Sequence, residues 1–223
     1  MKTTDTQRKS SSGISDTQKE ILPEPTLRRL PWYLAYVSML RWENVEYVSS
    51  TQISKELNVD ASQIAKDLSF LNIKGKTRIG YEVSKLEHEL QEFLGFKKKH
   101  NAFIVGIGSL GAALLADSGL HNYGLNIVAG FDINPSLTGT TISGVPIYHS
   151  NRLDELRPHL KAEIGIVTVP VEYAQTVVDQ LVNSGIKAIW NFTPARLRVP
   201  SGIVIENTSI YAHLAVIYNR MVK

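Results

Sequence analysis

The chain of 223 residues contains no cysteine, only 3 Trp and 6 Phe, and a nearly balanced charge of 24 Lys plus Arg against 21 Asp plus Glu. Without cysteine there is no disulfide, thiol nucleophile, cysteine-ligated zinc or iron–sulfur cluster, so any redox role falls to a bound organic cofactor. No apolar run approaches the roughly 18 to 20 residues that a membrane-spanning helix requires. The first residues lack the apolar core of a signal peptide, and a cytoplasmic protein with no membrane partner is expected. What is present, 43% hydrophobic residues, is ordinary for one large or two small globular domains. The charge is unevenly spread: residues 1–100 carry 16 basic and 13 acidic groups, and residues 101–223 carry 8 of each. The whole excess therefore lies in the first part.

Residues 1–19 are polar and rich in Ser and Thr, which predicts a disordered tail. From Thr26, Leu27, Leu30, Leu34, Val37 and Leu40 recur at helical spacing, with Pro31 in the first turn or at a break. Ser49 with Gln52 makes a capping box for a helix carrying Ile53 and Leu57. Asp60 with Gln63 starts another, carrying Ile64, Leu68 and Leu71, and the short Asn58-Val59 link makes the pair a helix-turn-helix. With Ile64, Leu68 and Leu71 inward, Ser62, Gln63, Lys66 and Ser69 are expected on the other face, and these residue types reach phosphates and base edges. Lys74, Lys76 and Arg78 around Gly75, followed by Ile79, Tyr81 and Val83, predict a short basic hairpin. Helix-turn-helix plus basic hairpin outlines a winged helix; the charges alone fit a solvated helical domain equally well, and order and spacing favour DNA. Ser84 with Glu87 caps a further helix that stops at Gly95. The run Lys97, Lys98, Lys99, His100 then reads as a solvated hinge, with contact to backbone phosphate as the second reading.

Ala102 to Val105 is a short apolar run leading into Gly106, Ile107, Gly108, Ser109, Leu110, Gly111 and the helix-forming AALLA. Strand, G-x-G-x-x-G and helix in this order form a dinucleotide fingerprint, in which the helix N-terminus offers N–H groups to a pyrophosphate. A second strand, Leu125 to Phe131, ends at Asp132, about 20 residues on, where an acid accepts hydrogen bonds from ribose hydroxyls. Ile133, Asn134 and Pro135 follow with no arginine for a 2′-phosphate, so NAD(H) is favoured over NADP(H). Further alternation (Val145–Tyr148, a helix near Leu153, Ile164–Val169, a helix from Val171 to Val182, Ile186–Phe192, Ile203–Ile205) specifies a mostly parallel sheet covered by helices. Thr168-Val169-Pro170 and Asn191-Phe192-Thr193-Pro194 fall at carboxyl ends of strands, where ligands bind in open sheets; a turn role fits each equally well. From Ser209, Ile210, Leu214, Ile217 and Met221 mark a terminal amphipathic helix that covers its own domain or crosses to a second subunit. Periodicity does not distinguish these.

Along nearly all of this length the chain resembles the Rex family of redox-sensing transcriptional repressors. The resemblance rests on LPEPTLRRLPWYLAY from Leu22, VSSTQISKELNV from Val48, QIAKDLSF from Gln63, IGY from Ile79, VGIGSLG from Val105, FDINP from Phe131, GVPIYH from Gly144, TVP from Thr168 and NFTPARLRVP from Asn191. It implies a homodimer of subunits with a winged-helix domain over 20–95, a linker over 96–101, a Rossmann domain over 102–208 and an exchanged helix over 209–223. It also implies that NADH releases a palindromic operator, whereas NAD⁺ favours or permits DNA binding. Within the matched segments Arg28, Arg29, Ser49 and Ser50 join Ser62, Gln63, Lys66, Lys74, Lys76 and Arg78 as the DNA-facing set. The sequence departs from the family at Ala65, where Arg is usual, and at Lys76, Thr77 and Arg78, where Lys-Arg-Gly is usual. It also has Asp117 and Ser209 in place of a Tyr–Asp pair near the nicotinamide. The expected function is a repressor, not an enzyme, that senses NADH/NAD⁺. The alternatives are a winged-helix regulator with another adenine-nucleotide effector and a small NAD-dependent dehydrogenase.

Overall fold

A computed structural model describes residues 22–221; the tail expected over 1–19 lies outside the described residues. The chain divides into two compact units after Leu90.

In the first unit, α1 (Glu24–Trp42) begins at Pro23 and runs through Pro31 without a break. One face of it, Leu30, Tyr33, Leu34, Val37 and Leu40, is buried on both sides of that proline, and packing of this kind overrides local propensity. After β1 (Tyr47–Val48) come α2 (Ser50–Leu57) and α3 (Ala61–Leu68). Ser49 and Gln52 form the reciprocal capping box expected of them. Asn58 turns the chain in the left-handed conformation, with φ of 52°. Asp60 caps α3 by accepting the N–H groups of Ser62 and Gln63, but Gln63 turns its own side chain elsewhere. The basic segment forms a tight turn in which Lys76 and Gly80 exchange both backbone hydrogen bonds, at 2.7 and 2.9 Å. β2 (Tyr81–Glu82) then pairs antiparallel with β1. Helix α4 (Val83–Phe93), whose last three residues fall beyond the division at Leu90, starts one residue before the expected cap, and the Ser84 hydroxyl donates to the Glu82 carboxylate instead. At its far end Gly95 and Phe96 donate to the Glu92 and Gln91 carbonyls, the double closure that a left-handed glycine permits.

One buried carboxylate ties α1 to α3. Asp67 is fully buried and accepts five hydrogen bonds: from Thr26 Oγ1 (3.0 Å), Arg29 Nε (2.7 Å), Arg29 Nη2 (2.8 Å), Tyr33 OH (2.7 Å) and Gln63 Nε2 (2.8 Å). Burial pushes its pKa up, and the hydrogen bonds from Arg29, Tyr33, Gln63 and Thr26 more than reverse that, holding it down from 3.8 to about 2. Burial, with the Asp67 carboxylate next, pushes the Tyr33 hydroxyl up to about 12.

The second unit is a seven-stranded sheet in the order β5-β6-β4-β3-β7-β8-β9. Its strands are β3 (His100–Val105), β4 (Leu125–Asp132), β5 (Thr141–Ile142), β6 (Val145–His149), β7 (Ile164–Val167), β8 (Ala188–Asn191) and β9 (Val204–Asn207). All pairings are parallel except that of the edge strand β5 with β6. The helices are α5 (Ser109–Ala116), α6 (Ser118–Asn122), α7 (Leu153–Leu160), α8 (Ala174–Asn183) and α9 (Ile210–Met221). Successive residues of β3 point to opposite faces: Phe103 and Val105 join one buried cluster with Phe131, Val167 and Val178, while Ala102 and Ile104 join another with Leu115, Ile147 and Ile166. β3 starts at His100, two residues before the apolar run, and the expected helix from Val171 opens as a single 3₁₀ turn before α8. Every residue of α9 is exposed.

These contacts predict a specific acid response. Because the folded pKa of Asp67 lies below the unfolded one, its contribution of about 2 kcal/mol is complete above roughly pH 4 and is lost as pH falls through 2. Chemical unfolding followed across that range should show this loss, and Asp67→Asn should lack it. At neutral pH Asp67→Asn should destabilise the first unit by about 3 to 5 kcal/mol, because Arg29 is left without its counter-charge.

Candidate dinucleotide and nucleic-acid sites

Strand order reverses between β3 and β7, and the chain leaving each of these strands meets at that point. Gly106 follows β3 with φ of +93°, and a Cβ there would lie 2.8 Å from Val169 Cγ1 and 2.9 Å from the Thr168 backbone. Gly111, in the first turn of α5, packs so closely that a Cβ would stand 2.1 Å from the Gly106 carbonyl oxygen. The middle glycine differs. A Cβ on Gly108 would meet nothing within 4 Å, so the space above it is open. Gly108 is also the N-cap of α5, which no side chain caps. The opening N–H groups of Ser109, Leu110 and Gly111, with the positive end of the helix dipole, are left for an anionic ligand.

Two side chains hold this loop. The Asp132 carboxylate, at the end of β4, accepts the N–H of Ile107 (2.6 Å) and that of Asn134 (2.8 Å). Each oxygen keeps a further lone pair for a hydroxyl donor. The Thr168 hydroxyl donates to the Gly106 carbonyl at 2.7 Å, with that of Val105 at 3.1 Å. A cleft of about 650 Å³ opens here. Of the residues singled out from the sequence, the cleft brings together Gly106, Ile107, Gly108, Asp132, Ile133, Thr168, Val169 and Pro170. Tyr173 from the 3₁₀ turn and Thr176 and Gln180 from α8 are also on its wall, with Leu137, Ser150 and Val177 among the others; no motif marks them, because packing of this turn and helix against the sheet is what brings the first three there.

Asn191, Phe192, Thr193 and Pro194 are not among the lining residues of this cleft. The amide of Asn191 is committed inside the fold: Nδ2 donates to Asn207 Oδ1 (2.9 Å) and the Ala195 carbonyl (3.0 Å), and Oδ1 accepts the N–H (2.9 Å) and hydroxyl (2.8 Å) of Thr193. Phe192 packs on Trp190 with ring centroids 4.7 Å apart. These contacts hold the segment that follows β8 in a fixed shape. Asp117 and Ser209 are helix caps: Asp117 accepts the Gly119 N–H at 2.7 Å and Ser209 accepts that of Ala212 at 3.2 Å. Among the described residues no group of His, Asp or Glu is placed to hold a metal ion.

In the first unit, α3 presents Ser62, Ala65, Lys66 and Ser69 to solvent. Gln63 corrects the helical-face expectation: it is half-buried and faces Asp67, because the buried carboxylate draws its amide inward. Arg29 is corrected for the same reason, since it grips Asp67 through two nitrogens and only a fifth of its side chain is exposed. Arg28 is exposed beside Glu24 at 2.8 Å. Ser49 serves the capping box and Ser50 opens α2. Lys74, Lys76 and Arg78 are exposed along the basic turn. The Lys76 ammonium donates to Tyr47 OH at 2.6 Å and stands 4.7 Å from the centroid of that ring. That hydrogen bond raises its pKa.

Two family models match the chain: a putative DNA-binding protein N-terminus over residues 21–69 and a CoA binding domain over residues 97–195. The redox-sensing transcriptional repressor Rex of Bacteroides fragilis is 60% identical over 200 residues, which cover 90% of this chain and 91% of that one. The crystal structure of RSP in complex with β-NAD⁺ and operator DNA superposes with a TM-score of 0.86 at 36% identity, covering 90% of this chain and 93% of that one. RSP in complex with β-NADH gives 0.82 at the same identity, covering 90% and 94%. With helix-turn-helix and basic turn in one unit, and a glycine-lined cleft at the reversal point of a parallel sheet in the other, this chain belongs to the Rex family of redox-sensing transcriptional repressors.

Proposed function

We propose that the chain represses transcription by binding a palindromic DNA operator as a homodimer, and that NADH, more than NAD⁺, releases it. The observation that carries this reading is the open space over Gly108 at the uncapped start of α5, with Asp132 beside it, in a chain whose other unit presents an exposed α3 face and basic turn. The relatives named above are a redox-sensing repressor and RSP, seen with NAD⁺ and operator DNA in one structure and with NADH in another, which supports it.

Residues 102–208 form the dinucleotide domain in this reading. The α5 N-terminus receives the pyrophosphate, and Asp132 accepts the adenosine ribose hydroxyls. Thr168, by fixing the Gly106 carbonyl, holds the loop in its binding shape before the ligand arrives. When bound, the nicotinamide supplies a ring that is positively charged when oxidised and neutral when reduced. Residues 20–95 bind DNA, 96–101 link the two domains, and the helix over 209–223 is exchanged between subunits. The exposure of Ile210, Tyr211, Leu214, Ile217 and Met221 supports that exchange, because a helix apolar on most sides is stable only when covered. No helix among the described residues is long and apolar enough to cross a membrane, and the chain acts in the cytoplasm, where its DNA is. No catalytic role is assigned to any residue; steady hydride transfer to a substrate would overturn that. A second reading, in which another adenine nucleotide is the effector, is favoured by the use of Asp117 and Ser209 as helix caps.

Operator-bound protein titrated with the two nucleotides should lose DNA to NADH at far lower concentrations than to NAD⁺. Equal effects would remove the redox reading and leave DNA binding intact. Gly108→Val should fill the open space and weaken NADH binding at least about ten-fold by calorimetry, while the melting temperature stays within a few degrees. If Lys66, Lys74, Lys76 and Arg78 meet phosphates in both subunits, log K should fall with log salt at about −0.9 per contact, for up to about eight contacts. Lys76→Ala should then flatten the slope by about 2 per dimer on every DNA sequence.

A further inference from the structure

Gln63 has the chemistry to read adenine, since a side-chain amide pairs with N6 and N7 of that base in the major groove. The fold withholds it from that role. Its Nε2 donates to Asp67 Oδ1 at 2.8 Å, one turn along the same helix. Asp67 is fully buried, and removing a donor from a buried carboxylate forfeits about as much as a bidentate base contact returns.

The remaining outward residues of α3 are Ser62, Ala65, Lys66 and Ser69. Both hydroxyl protons are already committed. Ser62 donates to Asp60 Oδ1, and Ser69 donates to the Lys66 carbonyl at 2.6 Å. On this face, then, the two serines offer acceptor lone pairs only, Lys66 is the side-chain donor, and Ala65 is the apolar group. A methyl group on a recognition helix makes its sequence-dependent contact with the 5-methyl of thymine.

Resting on the reading that α3 enters the major groove, we propose that Ala65 selects thymine through its 5-methyl group, and that Gln63 is a positioning residue that fixes α3 through Asp67. Operator choice by α3 then follows from a short side chain and a lysine, and the amide that looks like the base reader acts on the helix that carries them.

The test begins with duplexes selected by the protein from a random-sequence pool, after which each consensus thymine is replaced in turn by deoxyuracil, which lacks only the methyl. One thymine per half-site should prove sensitive, with binding weakened about four-fold, the worth of one buried methyl group. Ala65→Gly and Ala65→Ser should bind the thymine and uracil duplexes alike. A protein with no sensitive thymine, or variants that keep the sensitivity, would overturn the assignment. Selection with Gln63→Met should return the same consensus at lower affinity for all sequences. The stability step that Asp67 titration produces should also shrink, since Asp67 has lost a donor and its folded pKa rises toward the unfolded value; loss of packing alone would lower stability equally at every pH and leave that step intact. A consensus altered at an adenine would make Gln63 a reader and defeat the proposal. Failure of the underlying reading looks different: no sequence would be enriched from the pool by wild type at all.

Discussion

The first unit is organised about one negative charge kept out of water. Taking a carboxylate from solvent costs several kcal/mol unless its lone pairs are filled and a counter-charge stands close. At Asp67 both conditions are met by residues drawn from α1 and from α3 itself. The consequence is geometric as much as energetic. Apolar contact alone lets two helices slide or rotate with little penalty, whereas a carboxylate gripped at both oxygens by a planar guanidinium has one good arrangement. The orientation of α3 relative to α1 is thereby specified, and what α3 presents outward is settled along with it.

The second unit solves a comparable problem with backbone in place of charge. The glycine loop must approach a ligand closely and still keep its shape, so it is held by the Asp132 carboxylate and the Thr168 hydroxyl and closed by contacts in which no Cβ fits. Only at Gly108 does the missing side chain leave room facing outward. A loop fixed in advance binds without a large ordering cost, which is the advantage of preorganisation.

Much of this was legible in the sequence, wherever the signal is local. The Ser49–Gln52 box, the Asp60 cap, the strand–glycine–helix order at Gly106 and the acid closing β4 each rest on neighbouring residues whose chemistry admits few structures. What escaped depends on partners distant in sequence. Gln63 and Arg29 look outward until the burial of Asp67 is known, and nothing in the spacing announces that an aspartate on α3 faces inward. That the Asn191 amide bonds Asn207 and the Ala195 carbonyl could not be read from a motif at a strand end. Elements α6 and β5, with 5 and 2 residues, are too short to show any period. Tyr173 and Gln180 reach the cleft only because of how α8 and the 3₁₀ turn before it lie on the sheet.

In the proposed dimer, the exposure of α9 in a lone subunit would tie the protein's lifetime to its abundance. A helix that shows Tyr211, Tyr218, Ile217 and Met221 to water is the kind of surface that chaperones hold and proteases enter, and marginal differences in protection change steady-state amounts several-fold. Association that covers it is governed by mass action, so protection rises with concentration. Subunits made too sparsely to find a second copy would be cleared first. The level of repressor would then respond more steeply than its rate of synthesis, a threshold built from nothing more than twelve residues of uncovered helix.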